Sequence, residues 1–135
     1  SYVACVVELS MKPDGMPRAQ RVVVAADPGY VVNPEGVRQQ LEGAVVWALS
    51  AAYYGEITVQ NGRVAQSNFH DYRLLQMPEM PKVEVVLAPS GGFWGGIGEP
   101  GAPPVAPALV NAMFAATGKR YRSLPLMREV GPKAV

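Results

Sequence analysis

The sequence predicts an α+β fold: an antiparallel or mixed sheet built from hairpins, with two main helices packed on it, in the order ββαβββα. Three observations lead there. Two β-branched-rich runs flank a turn near the start, two long apolar stretches with helical spacing stand between Pro and Gly punctuation, and Asn61-Gly62 joins two short strand-like runs. Hairpins alternating with helices in this way put the helices on one face of the sheet.

Tyr2 to Met11 is the first apolar run, Lys12-Pro13-Asp14-Gly15 is turn chemistry, and Arg18 to Ala26 is apolar again, with Gln20 and Arg21 among the hydrophobes. Asp27-Pro28-Gly29 ends this second strand. In Asn33-Pro34-Glu35, Asn33 suits the N-cap, Pro34 the first helical position and Glu35 the positive end of the helix dipole. Val37, Leu41, Ala44, Val45, Ala48, Leu49 and Ala52 then recur at helical spacing to about Tyr54, with Gly55 as the stop. The second half of this helix is apolar nearly all round and is expected to be buried.

Glu56 to Gln60 and Arg63 to Gln66 flank Asn61-Gly62, a two-residue hairpin turn. Met77-Pro78-Glu79-Met80-Pro81 cannot be a central strand, but Val83 to Ala88 can, and it runs into the Gly-rich stretch Ser90 to Gly101. Pro103, Pro104 and Pro107 admit a helix only at its first turn, which predicts a helix over Val105 to Thr117 closed by Gly118. Tyr121 to Leu126 is expected to form a last short strand before a frayed tail. No linker or repeat divides the chain, so residues 1–135 read as one domain.

Composition narrows the function. Twelve Lys and Arg against eleven Asp and Glu leave +1, with no charge excess to recruit nucleic acid or an anionic membrane. Charged residues are only 17% of the chain, against about 25% in ordinary soluble domains, while 49% is hydrophobic. That apolar load suits a domain normally covered by other protein. One His and one Cys cannot supply a zinc site or hold an iron-sulfur cluster, and Cys5 among valines reads as a buried strand residue. No apolar run is long enough for a membrane span. The opening Ser1-Tyr2-Val3-Ala4 has neither a basic region nor an initiating Met and reads as mid-protein sequence. The six Met residues read as core filler.

Gly96-Ile97-Gly98-Glu99-Pro100-Gly101 satisfies the G-x-G-x-x-G pattern after a strand. The dinucleotide reading fails, because Pro100, Pro103 and Pro104 remove backbone donors and postpone the helix. What remains is Glu99, a carboxylate between glycines and a proline, either mounted as a fixed acid or base or serving the positive end of the following helix. Composition alone favours the second. His70-Asp71 beside Ser67 suggests a Ser-His-Asp arrangement, but in a strand adjacent residues point to opposite faces, which favours a surface or packing role. Gln39, Gln40 and Glu42 form the polar start of the first helix, by default a solvated end. Phe93 and Trp94 are core anchors or a pocket wall.

The run from Gly96 to Ala108, continuing through Asn111-Ala112 and Ala115-Ala116-Thr117-Gly118, resembles the C-terminal end of molybdenum-binding subunits of the xanthine oxidase family. Within that family the likeness is nearest to isoquinoline 1-oxidoreductase beta subunits and bacterial aldehyde dehydrogenases. Asp27-Pro28-Gly29, Val32-Asn33-Pro34, Gln40-Leu41-Glu42-Gly43 and Asn68-Phe69-His70-Asp71-Tyr72 match in the same order, so the resemblance covers nearly the whole chain.

The resemblance implies an oxidoreductase that hydroxylates an N-heterocycle or an aldehyde with water as oxygen source, with Glu99 of the Gly-Glu-Pro motif as catalytic base. It implies that Gln40 contacts the pterin cofactor, reversing the default for that residue, and that Gly98 and its neighbours approach the molybdenum centre. The implied cofactor is molybdopterin cytosine dinucleotide, and electrons would leave through two [2Fe-2S] clusters on another subunit. Family subunits are several times longer, so the chain is expected to be a C-terminal fragment whose partner is the remainder of the subunit. Alone it should hold no metal and turn over no small-molecule substrate. The alternatives are a non-catalytic ligand-binding module, which calls for a closed pocket, and a structural or interaction domain, which calls for Glu99 pinned by its own helix.

Overall fold

A computed structural model describes residues 1–131. Strands β1 (Tyr2–Met11) and β2 (Pro17–Asp27) form the expected antiparallel hairpin, paired from Tyr2 with Asp27 to Met11 with Pro17. Its turn closes through the Gly15 amide donating to the Lys12 carbonyl at 2.9 Å, with Gly15 at φ 82°. Helix α1 (Pro34–Tyr54) follows, and the Asn33 side chain accepts from the Gly36 amide at 3.2 Å. Replacing Asn33 by Ala removes that acceptor and should cost about 1 kcal/mol in chemical denaturation. An unchanged midpoint would show that water serves the amide equally well.

Gly55 ends α1 as expected, but at φ −59° rather than in a left-handed cap. Its amide donates back to the Ser50 and Ala51 carbonyls, and a Cβ there would stand 2.9 Å from the Ala51 Cα. The next hairpin is short, β3 (Val59–Gln60) against β4 (Arg63–Val64), and lies apart from the main sheet. Strand β5 (Lys82–Leu87) then returns to the main sheet parallel to β2, from Arg21 with Lys82 to Ala26 with Leu87. The sheet is therefore mixed, in the order β1-β2-β5. Helix α2 (Val105–Thr117) has the predicted bounds and closes on Gly118 in the left-handed region at φ 70°.

The predicted last strand is absent. Tyr121 to Leu126 is irregular, and a one-turn helix α3 (Met127–Val130) occupies the start of the expected tail; residues 132–135 lie outside the described residues. The backbone of this segment has another outlet: the Leu126 amide donates to the Ala52 carbonyl at 2.8 Å, tying it to the end of α1 with Leu126 fully buried.

Helix α1 lies over β5 and α2 over β1, and the two helices touch. Leu41, Val45 and Leu49 of α1, Leu109 and Met113 of α2, and Val22 and Val24 of β2 are fully buried between the layers. Each such side chain contributes about 1.5–3 kcal/mol of transfer free energy. Strand alternation sends Val3, Cys5, Val7 and Leu9 toward the helices and leaves Tyr2, Ala4, Val6 and Glu8 on the open face. Cys5 is half-buried, and burial pushes its thiol up to about 11, which keeps it unreactive. Arg21 on the open face bridges Glu8 at 2.6 Å and Glu84 at 2.7 Å.

Of the methionines only Met113 is buried in the core, and Met77 is 86% exposed. The second half of α1 is likewise not fully covered, since Trp47 is 72% exposed. Much of the apolar load is surface: Tyr2, Val32, Phe69 and Phe93 also face outward. No helix among the described residues is long and apolar enough to cross a membrane.

Candidate functional site: a cleft between helix α1 and the Gly-rich loop

After β5 the chain crosses the end of β2 and is held there by Asp27-Pro28-Gly29. The Ser90 and Gly29 amides donate to the Asp27 carboxylate at 3.1 and 2.8 Å, and those of Gly91 and Gly95 donate to the Gly29 and Pro28 carbonyls. The Ser90 and Gly29 bonds lower the Asp27 pKa. Gly29 sits at φ 83°, and any Cβ there would collide with the Phe93 carbonyl, so loop and β2 end fit together only with glycine. The Ser1 hydroxyl donates to the Gly96 carbonyl at the other side of the loop.

Beyond this anchorage the backbone changes character. The amides of Gly96, Ile97, Gly98 and Glu99 donate to no partner among the described residues, and a Cβ at Gly96 or Gly98 would meet open space. The Ala102 amide then turns back to the Glu99 carbonyl at 3.0 Å, and buried Gly101 seats the loop on α1, where a Cβ would lie 2.9 Å from Leu41 Cδ2 and 3.0 Å from Ala44 Cβ. Gln40, Gly43, Ala44 and Trp47 on one face of α1 and Gly98, Glu99 and Ala102 on the loop thereby enclose an open cleft of about 330 Å³. All three site residues read from the sequence, Gln40, Gly98 and Glu99, line it.

Glu99 is exposed, and its carboxylate makes no hydrogen bond or ion pair among the described residues. It does not serve α2, whose N-cap is Pro104 and whose first turn carries no acidic residue. The cleft has a mostly apolar lining that carries the Gln40 side-chain amide, the backbone of Gly98 and one unpaired carboxylate, Glu99. The Gln40 amide offers a donor and an acceptor, and Gly98 lets a bound group approach the backbone closely. No group of three or more His, Cys, Asp or Glu able to hold a metal ion occurs among the described residues.

The other sequence candidates fall elsewhere. Phe93 is 94% exposed and Trp94 stacks on Tyr30 at 5.4 Å between ring centroids; neither is a core anchor, and neither lines the cleft. Ser67 to Tyr72 is a turn, not a strand, and it does bring Ser67, His70 and Asp71 together. The Ser67 hydroxyl donates to Asp71 at 3.0 Å rather than to His70, whose Nε2 is 3.5 Å from Asp71, so the imidazole does not address the serine as a triad requires. Asp71 instead closes the turn, accepting the Asn68 and Ser67 amides, which hold its carboxyl down at about 2. Because its folded value lies below its unfolded one, this stabilisation is present above about pH 4 and is lost as pH falls toward 2. The Ser67 and Asn68 amide resonances should lose their turn positions in that window; invariance to pH 2 would mean that Asp71 does not hold the turn.

Trp47 is the cleft residue that the sequence analysis missed. It stands seven residues, two helical turns, after Gln40 on the same face of α1, a spacing visible in the sequence but assigned there to the core.

Residues 1–81 match the molybdopterin cofactor-binding domain. The chain belongs to that family. The matched stretch holds Gln40 but stops before Gly98 and Glu99. The chain is 33% identical over 123 residues to the membrane-bound aldehyde dehydrogenase [pyrroloquinoline-quinone] of Gluconacetobacter polyoxogenes, covering 90% of the chain and 16% of that protein. It is 34% identical over 141 residues to isoquinoline 1-oxidoreductase subunit beta of Brevundimonas diminuta, covering 99% of the chain and 18% of that protein. Quinoline 2-oxidoreductase from Pseudomonas putida 86 shares its fold, with a TM-score of 0.72 at 19% identity over 88% of the chain and 17% of that structure's chain. This molybdopterin cofactor-binding domain thus spans less than a fifth of the length of each relative.

Proposed function

We propose that this molybdopterin-binding domain supplies the catalytic base and part of the cofactor wall of a molybdenum hydroxylase that adds a water-derived oxygen to an N-heterocycle or an aldehyde. The observation that carries this reading is the convergence of Gln40, Gly98 and Glu99 on one cleft. A bound molybdenum cofactor would supply the two-electron redox centre. Everything else falls to side chains and backbone already present. The Gln40 amide offers a donor and an acceptor to the pterin, and the free amides around Gly98 offer donors at a point where no Cβ intervenes. The Glu99 carboxylate, unpaired and facing the cleft, takes up the proton released as oxygen is transferred.

In this reading the chain is the C-terminal part of a longer molybdenum subunit, and its cofactor is the cytosine dinucleotide form. The family resemblance supplies a [2Fe-2S] partner subunit that carries the electrons away, a role that the single Cys of this chain cannot fill. The isolated chain should show no turnover with substrate and an electron acceptor; robust turnover would overturn the fragment reading. In the full-length protein, Gln40→Ala should lower the molybdenum bound per polypeptide by metal analysis, whereas Glu99→Gln should leave it near the parent value. Loss of metal from Glu99→Gln would make Glu99 structural.

A further inference from the structure

At the end of α1 remote from the cleft, another hollow of about 390 Å³ opens between the β1–β2 turn, the last residues of α1 and the segment from Arg73 to Glu79. It shares no lining residue with the cleft that holds Glu99. Met16, Leu75 and Met127 give it an apolar floor, while its polar groups are unevenly satisfied. Tyr53 is only 4% exposed; its hydroxyl oxygen accepts the Ala19 amide at 3.2 Å, and the hydroxyl proton reaches no acceptor among the described residues. Burial pushes the Tyr53 pKa up to about 12, so that proton stays in place as a donor. The Lys12 side chain pairs with nothing among the described residues, and Arg18 commits one nitrogen, to the Pro78 carbonyl at 2.9 Å. Glu79 by contrast is fully used: it accepts the Tyr54 hydroxyl at 2.5 Å, the Arg73 guanidinium at 2.6 Å and the Gln76 amide at 2.9 Å. Asp14 accepts the Met16 amide at 3.0 Å inside its own turn.

We propose that this hollow binds a small organic monocarboxylate with an aliphatic body, its carboxylate received by Lys12, Arg18 and the Tyr53 hydroxyl. Its volume falls in the range of small-molecule sites. Charge selects the sign of the ligand. With Arg73 and Glu79 paired to each other, Lys12 and Arg18 stand against Asp14 alone, so a cation would meet an excess of like charge. A carboxylate is acceptor-only and takes up the free donors without unpairing any that are engaged. An inorganic anion would leave the apolar floor bare, whereas an alkyl chain covers it. The Tyr54 ring is already occupied by the Arg73 guanidinium at 4.0 Å, and the floor is flexible Met and Leu, which match a chain better than a flat ring.

The six methionines supply the probes. Met16 and Met127 line the hollow, Met113 is buried in the core and Met77 is 86% exposed. In the chain labelled with ¹³C at the methionine methyls, hexanoate should shift the Met16 and Met127 resonances saturably, with a dissociation constant on the order of 1 mM for so small a ligand. Met113 and Met77 should stay where they are. Hexanol, which lacks the charge, and acetate, which lacks the chain, should each bind at least about tenfold more weakly. Lys12→Gln, which removes a side chain that holds nothing in place, should weaken hexanoate binding about three- to fivefold. Tyr53→Phe should weaken it in the same direction. The Met113 resonance verifies the fold of each variant. A linear response to hexanoate, an equal shift at Met77, hexanol binding as tightly as hexanoate, or binding indifferent to both Lys12→Gln and Tyr53→Phe would overturn the proposal.

Discussion

Turnover of the full-length protein that carries this chain is expected to fall roughly 100- to 10,000-fold when Glu99 is replaced by Gln, the range that a positioned general base contributes. Gln keeps the length and planarity of the side chain but accepts no proton at working pH. Because the Glu99 carboxylate holds nothing in place among the described residues, the swap should leave the loop and its seat on α1 intact. The loss should therefore appear in kcat with KM little changed, the signature of an interaction made in the transition state. Glu99→Asp keeps the base but withdraws it by one methylene and should fall between the two. Steady-state kinetics at matched molybdenum content reads all three, and a Glu99→Gln enzyme within about threefold of the parent would remove Glu99 from the chemistry.

Leu41→Ala should cost about 2–5 kcal/mol, a large share of the roughly 5–15 kcal/mol that holds a domain folded. Leu41 is fully buried, and its Cδ2 lies where a Cβ on Gly101 would be 2.9 Å away. Truncation opens a void under the seat of the loop that carries Glu99, so core packing and site geometry are linked through this contact. Urea denaturation should show a lower midpoint at unchanged slope. Gly101→Ala, which crowds Leu41 in the parent, gains space once the leucine is gone, so the two substitutions should be non-additive. Additive costs would mean that the loop does not rest on Leu41.

Much of the local structure was legible. The Asn33-Pro34 start of α1, the Val105–Thr117 bounds of α2 with its Gly118 cap and the first hairpin follow from capping, proline and turn chemistry, which act within a few residues. The predicted strand over Tyr121 to Leu126 fails for a non-local reason: no sheet edge receives it, and its Leu126 amide finds the Ala52 carbonyl instead. Trp47 fails similarly, since helical spacing says which residues share a face but not which faces a three-stranded sheet is wide enough to cover. His70 and Asp71 were kept apart by a strand that turned out to be a turn.

By itself the sequence determined the α+β class and the bounds of α1 and α2, and its family resemblance singled out Gln40, Gly98 and Glu99. The apolar excess in its composition also pointed to a domain built to be covered. Only the tertiary structure placed β5 parallel to β2 and brought Gln40 and Glu99 to one cleft. The reason is that backbone caps and turns are short-range, whereas the meeting of α1 with the Gly-rich loop depends on a peg at Asp27-Pro28-Gly29 and a bare glycine against Leu41, both contacts between residues far apart in the chain.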